Sequence, residues 1–83
     1  MSEVRLEDIK RLVGLQLGAH NVGEHDRFLE DLAAESADVA NLIASVEEKY
    51  KITIKESEIA KIFTPKDLFE LVKERTSLRG PAR

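Results

Sequence analysis

Apolar residues recur at helical spacing in three parts of the chain, and the residues between them mark where each run stops. Val4, Leu6, Ile9, Leu12, Val13 and Leu17 follow the repeat of about 3.6 residues up to Gly18. This predicts a first helix that follows a cap at Ser2 and is stopped by Gly18. Glu3, Glu7 and Asp8 suit its positive N-terminal end. Gly14 interrupts the pattern, since a glycine weakens a helix interior by about 1 kcal/mol relative to alanine. The clearest run is Val39, Leu42, Ile43, Val46 and Tyr50, at i, i+3, i+4, i+7 and i+11, which is one face of a second helix with Ser36 just before it. In the last, Thr64-Pro65-Lys66-Asp67 reads as a capped helix start. Threonine is the cap, proline sits where no N–H is needed, and an acid three residues on can bond back. Leu68, Leu71 and Val72 form its apolar face, and the helix should fade between Thr76 and Gly80, leaving a basic tail with Arg79, Pro81 and Arg83.

The connections are less regular. Residues 18–35 form a long polar loop whose Val22, Phe28, Leu29 and Leu32 are expected to pin it to the core; a loop this long in a small domain tends to be functional. Residues 51–55 alternate Ile52 and Ile54 with polar neighbours, as an edge strand would, but no second strand signal exists to pair with. A connection with both isoleucines turned inward is the better reading. A short helix is expected over residues 56–62. The chain therefore reads as one all-α domain over 1–83, with a core at about 3–76 and a flexible tail at 77–83.

Composition narrows the function. The 83 residues hold one modest core and little material for a deep catalytic pocket. With 3 Phe, 1 Tyr and no Trp, that core falls to Leu, Ile, Val and Ala, which favours helix on helix. The absence of cysteine excludes disulfides, thiolate metal sites and a thiol nucleophile within the chain. No stretch approaches the roughly 20 apolar residues of a membrane span, and residues 1–11 do not resemble a signal peptide, so a cytoplasmic protein is expected. Charge is uneven: residues 24–48 hold eight acids against Arg27 alone, a balance of -7, whereas the rest of the chain carries +4. That argues against nucleic acid and for a partner with a basic docking patch, unless the face is merely solvated.

Few residues can carry chemistry. His20 and His25 are five apart with no third histidine or any cysteine, so a metal site is not expected. Gly14, Gly18 and Gly23 match no phosphate-binding spacing, and no nucleophile elbow surrounds Ser36. Ser36 itself has two possible uses. As a helix cap it contributes about 1 kcal/mol; as a phosphodiester carrier it places an anion where free N–H groups and the helix dipole favour one. Val39, three residues on, cannot complete a capping box with it.

The stretch from Phe28-Leu29-Glu30-Asp31-Leu32 through Ala33-Ala34-Glu35-Ser36, followed by Asp38-Val39, Leu42-Ile43 and Val46-Glu47-Glu48-Lys49-Tyr50, closely resembles the acyl carrier proteins of fatty acid and polyketide synthesis. Ile52-Thr53-Ile54 and Thr64-Pro65 with Asp67-Leu68 are similar to later landmarks of that family, so the resemblance spans residues 4–72. It implies a four-helix bundle with a short third helix and a long loop between helices 1 and 2. It further implies a non-enzymatic carrier with 4′-phosphopantetheine on Ser36, supplied from coenzyme A by a magnesium-dependent transferase. The terminal thiol of the arm would form the thioester, which answers the missing cysteine. Val39, Leu42, Ile43, Val46, Ile62 and Leu68 become candidates for lining the acyl chain, although plain core packing would account for each.

The same resemblance implies docking of loading ligases, synthases and acyltransferases through basic patches that read Asp31, Glu35, Asp38, Glu47 and Glu48, with Ala37 and Asn41 on the same face. A monomer is expected. Relatives commonly place leucine where this chain has Ala37 and glycine where it has Ala33, and Asn41 makes the second helix less acidic than is typical. These departures point to a specialised carrier with dedicated partners. The competing readings are an unmodified helical interaction module, with Ser36 only a cap, and a small acid–base enzyme, which this composition can hardly shelter.

Overall fold

The computed structural model describes the backbone of residues 4–79 and the side chains of residues 4–76. Among them are four helices and no strand: α1 (Leu6–Leu17), α2 (Ser36–Tyr50), α3 (Glu56–Ile59) and α4 (Pro65–Arg79). The three long helices are those whose apolar residues complete a face. Ile9 and Val13 of α1, Leu42, Ile43 and Val46 of α2, and Leu68 and Val72 of α4 meet in one core, each 2% exposed or less. The first helix packs against both of the other two. Phe69, absent from the expected face of α4, also leans on this core half-buried.

The start of α1 differs from expectation. The predicted cap at Ser2 lies outside the described residues, but the helix begins only at Leu6, after Arg5, whose N–H donates to the Asp8 carboxylate at 3.3 Å. Val4 fits the apolar repeat because it is buried, not because it is helical. At the other end Gly18 adopts φ 66°, the left-handed conformation that ends helices. The interrupting Gly14 has a reason in the fold: a Cβ there would lie 3.0 Å from the Ala19 carbonyl oxygen, where the chain folds back.

The loop to α2 is pinned by Val22 and Phe28, with Leu32 half-buried, but not by Leu29, which is 54% exposed. The Asp31 and Leu32 N–H groups both reach the Arg27 carbonyl, so residues 27–32 form one helical turn. Neighbouring side chains in such a turn diverge by about 100°; Phe28 takes the inward direction and Leu29 is turned out. Burying Phe28 contributes roughly 2 kcal/mol. Its N–H also donates to the Phe63 carbonyl at 2.9 Å, which ties the loop to the entrance of α4.

Residues 52–55 carry their isoleucines inward, Ile54 fully and Ile52 partly. The third helix is shorter than expected. It ends at Ile59 and is followed by a turn in which the Ile62 N–H reaches the Ile59 carbonyl. None of its own residues is fully buried. Arg75 of α4 holds it from outside, pairing with Glu58 and donating to the Thr53 carbonyl at 2.7 Å. The start of α4 is as expected: Thr64 Oγ1 accepts from the Asp67 N–H at 3.1 Å, and Asp67 accepts from the Thr64 N–H at 3.2 Å. The helix extends to Arg79, and Pro81 and Arg83 lie outside the described residues.

Candidate functional site

Ser36 is the first helical residue of α2, and Glu35, with extended φ -101° and ψ 166°, precedes it as the cap position. The Glu35 N–H donates to the Asp38 carboxylate at 3.0 Å, and the Glu35 carbonyl accepts the Val39 N–H at 3.0 Å. Of the two uses open to Ser36, the cap position falls instead to Glu35, one residue earlier. Ser36 lies one position inside the helix, so its hydroxyl does not accept from the first-turn amides, and the Asp38 carboxylate takes the Glu35 N–H instead. That hydroxyl is exposed and has no hydrogen-bond partner among the described residues. The amides of the first turn, from Ser36 onward, have no carbonyl one turn earlier to bond, which leaves them available to an anion.

The approach to α2 explains one departure noted in the sequence. Ala33 has φ 57°, a left-handed conformation that disfavours any residue with a Cβ and that glycine takes freely. The departure that the resemblance marks at Ala33 thus falls where the backbone itself favours glycine.

Beside Ser36 opens a cleft of about 600 Å³. It is lined by Val39 and Ala40 of α2, by Ile59 of α3 and Ala60 just past it, and by Leu29, Ile62 and Phe63. Of the six residues expected to line an acyl chain, Val39 and Ile62 face this cleft, whereas Leu42, Ile43, Val46 and Leu68 belong to the closed core. Leu29, Ile59 and Phe63 are cleft residues that the sequence did not single out; only their exposure or placement in space reveals them. A second hollow, of about 640 Å³, lies along α1 between Lys10, Leu15 and His20, and holds none of the expected site residues.

The acidic face divides by what each carboxylate already does. Asp31 accepts from the Arg27 N–H at 2.8 Å, Asp38 from Glu35, and Glu47 from the Ile54 N–H at 2.7 Å. Glu35 and Glu48 are exposed and, among the described residues, accept no side-chain hydrogen bond. Ala37 and Asn41 are exposed on α2 near Ser36. The lone Lys or Arg of the stretch is engaged: Arg27 Nη1 lies 2.5 Å from Glu30 Oε1, and that hydrogen bond and charge raise the guanidinium pKa further above its ordinary value. His25 stands 3.5 Å from Glu24. Among the described residues, no three histidines, cysteines or acids are grouped as a metal site would need.

Residues 7–72 match the family model described as the phosphopantetheine attachment site. The chain belongs to this family. Its relatives include the acyl carrier protein of Chlamydia felis, 38% identical over 71 residues, which span 83% of this chain and 91% of that one. The acyl carrier protein of Helicobacter hepaticus is 44% identical over 64 residues, 75% of this chain and 84% of its own. That of Wolinella succinogenes is 40% identical over 68 residues, 80% and 90% of the two chains. The fold agrees with the solution structure of the oxytetracycline acyl carrier protein, at a TM-score of 0.73 and 24% identity, over 100% of this chain and 90% of that one. The chain is thus a phosphopantetheine-dependent acyl carrier protein by family and not an enzyme, and the unmodified interaction module is not favoured. Such carriers work with a modifying transferase and with biosynthetic enzymes. Among the described residues, no helix is long and apolar enough to cross a membrane.

Proposed function

We propose that Ser36 is the attachment point, and that residues 3–76 act as one monomeric carrier domain presenting acyl groups to enzymes of fatty acid, polyketide or related specialised synthesis. The single observation that carries this is the free, exposed hydroxyl of Ser36 at the first turn of α2 and at the mouth of an apolar cleft. Ser36 Oγ attacks the phosphorus of coenzyme A that bears the pantetheine, loses its proton to a base of the transferase, and releases adenosine 3′,5′-bisphosphate. The residues present suit the product. Amides of the first turn would be the donors to the diester anion, and the helix dipole favours negative charge there. The terminal thiol of the arm supplies the thioester chemistry that a chain without cysteine lacks. Val39 and Ile62 shield the near part of an acyl group from water, and Leu42, Ile43, Val46 and Leu68 must part if a longer one is to enter. A cytoplasmic setting follows from the need for coenzyme A at the loading step.

Intact mass before and after incubation with coenzyme A, magnesium and a broad-specificity phosphopantetheinyl transferase tests this assignment. One arm should be gained by the parent and by Ser45→Ala and Ser57→Ala, and none by Ser36→Ala. An arm on Ser36→Ala would move the attachment elsewhere.

For docking, Asp31, Glu35, Asp38, Glu47 and Glu48 supply the negative potential, with Ala37 and Asn41 between them. Because Asp31, Asp38 and Glu47 also hold backbone N–H groups, Glu35 and Glu48 are the positions at which charge can be changed with least structural cost. Glu35→Gln with Glu48→Lys should slow loading at low salt, and the difference should shrink as salt rises. A deficit that persists unchanged in high salt would reject electrostatic docking.

A further inference from the structure

Three large hydrophobic side chains are exposed among the described residues: Leu15 at 76%, Leu29 at 54% and Phe63 at 60%. Leu15 lines the hollow along α1, but Leu29 and Phe63 stand together at the cleft that also holds Ser36. Their backbones are fixed. The Phe63 carbonyl accepts the Phe28 N–H at 2.9 Å, the Phe63 N–H donates to Asp67 at 3.0 Å, and Leu29 rides on the turn closed by the Arg27 carbonyl. Two large apolar groups are thus held in water on a rigid support, while the core places are filled by their neighbours Phe28 and Ile62. Exposed apolar groups clustered within a charged surround mark contact surfaces.

The other side of the cleft mouth shows what this pair does. The outward face of α2 presents Ala37, Ala40, Asn41 and Ala44, none of which offers a partner a large apolar contact. Around the pair the balance of charge is negative: Arg27 and Glu30 of the cleft wall offset one another as an ion pair, while Glu56 lines the cleft and Glu35 adjoins Ser36. A complementary surface carries cationic groups around an apolar side chain or pocket.

Resting on the carrier reading above, we propose that Leu29 and Phe63 are the apolar anchor by which enzymes acting at Ser36 dock. The partner is a protein whose basic rim meets Glu35 and Glu56 and whose apolar contact seats on the Leu29 and Phe63 side chains. The anchor thereby sits on the loop and the α4 entrance, and shares the cleft with the small Ala40 of α2. A few well-packed side chains near the centre of an interface, inside a polar rim, carry most of its affinity.

The test separates docking from cargo shielding by using a competitor that bears no arm. Ser36→Ala protein is titrated against loading of the parent by a broad-specificity phosphopantetheinyl transferase, with and without Leu29→Ser and Phe63→Ser. The added pair should raise the concentration needed for half-inhibition at least about tenfold, the equivalent of about 1.4 kcal/mol. Leu29→Met with Phe63→Leu should compete like Ser36→Ala alone, and far-ultraviolet circular dichroism should show both competitors folded. Equal competition by the serine pair, with the parent loading normally, overturns the anchor and leaves the two side chains to the acyl group. A parent that gains no arm overturns the carrier reading and the anchor with it.

Discussion

Two helices of this protein start with similar chemistry and use it differently. At α4, Thr64 is the cap: its hydroxyl accepts the Asp67 N–H, Asp67 accepts from Thr64 and Phe63, and Pro65 fills the first helical position, buried. At α2, the same acid three residues past the cap serves Glu35, and the hydroxyl residue has moved one place into the helix, where nothing in the fold engages it. One hydroxyl stabilises the structure, and the other is left outside it. The proposed attachment at Ser36 suits that second arrangement, because an oxygen that holds no cap can be modified without disturbing the helix start.

Substitutions at the two starts sharpen the contrast. The largest stability effect belongs to Asp67→Ala, which leaves two backbone N–H groups without a charged acceptor; chemical denaturation should show a loss of about 2 kcal/mol. Thr64→Ala removes the cap hydroxyl alone and should cost about 1 kcal/mol by the same measurement. At the other start, Ala33→Gly relieves a left-handed alanine just before Glu35 and should raise stability by about 0.5 kcal/mol, since relief of the backbone exceeds the entropy glycine adds to the unfolded chain; an unchanged or lower midpoint would mean the conformation is not strained. Smallest of all is Ser36→Ala, which should shift stability by less than about 0.5 kcal/mol, half the cap contribution expected from sequence. A loss equal to that of Thr64→Ala would erase the distinction between the two starts.

Much of this was legible in the sequence, and the remainder has identifiable causes. The long helices declared themselves because burial on one face imposes a period, and Thr64-Pro65-Lys66-Asp67 is a local signal that needs no tertiary context. Ser36 stood out in the sequence, but its place one position inside the helix did not. Serine is a good cap, and the competing pattern of Glu35 and Asp38 differs by a single position. Phe28 and Leu29 are equally apolar, and only the turn on the Arg27 carbonyl decides which one enters the core. Periodicity also carries no depth, so Val39 and Leu42 looked alike although one borders the cleft and the other is sealed. The bond from Ile54 to Glu47 and the hold of Arg75 on α3 join residues distant in sequence, and nothing local announces them.

The most direct measurement is fragment-ion mapping of the protein after loading. Trypsin releases a peptide from Phe28 to Lys49 that contains both Ser36 and Ser45, so backbone fragments between them decide which serine is modified. Fragments that carry the phosphopantetheine mass from Ser36 onward, with Ser45 unmodified, are the expected result. The mass on Ser45, or on the peptide that contains Ser57, would contradict the assignment of the free hydroxyl at the start of α2.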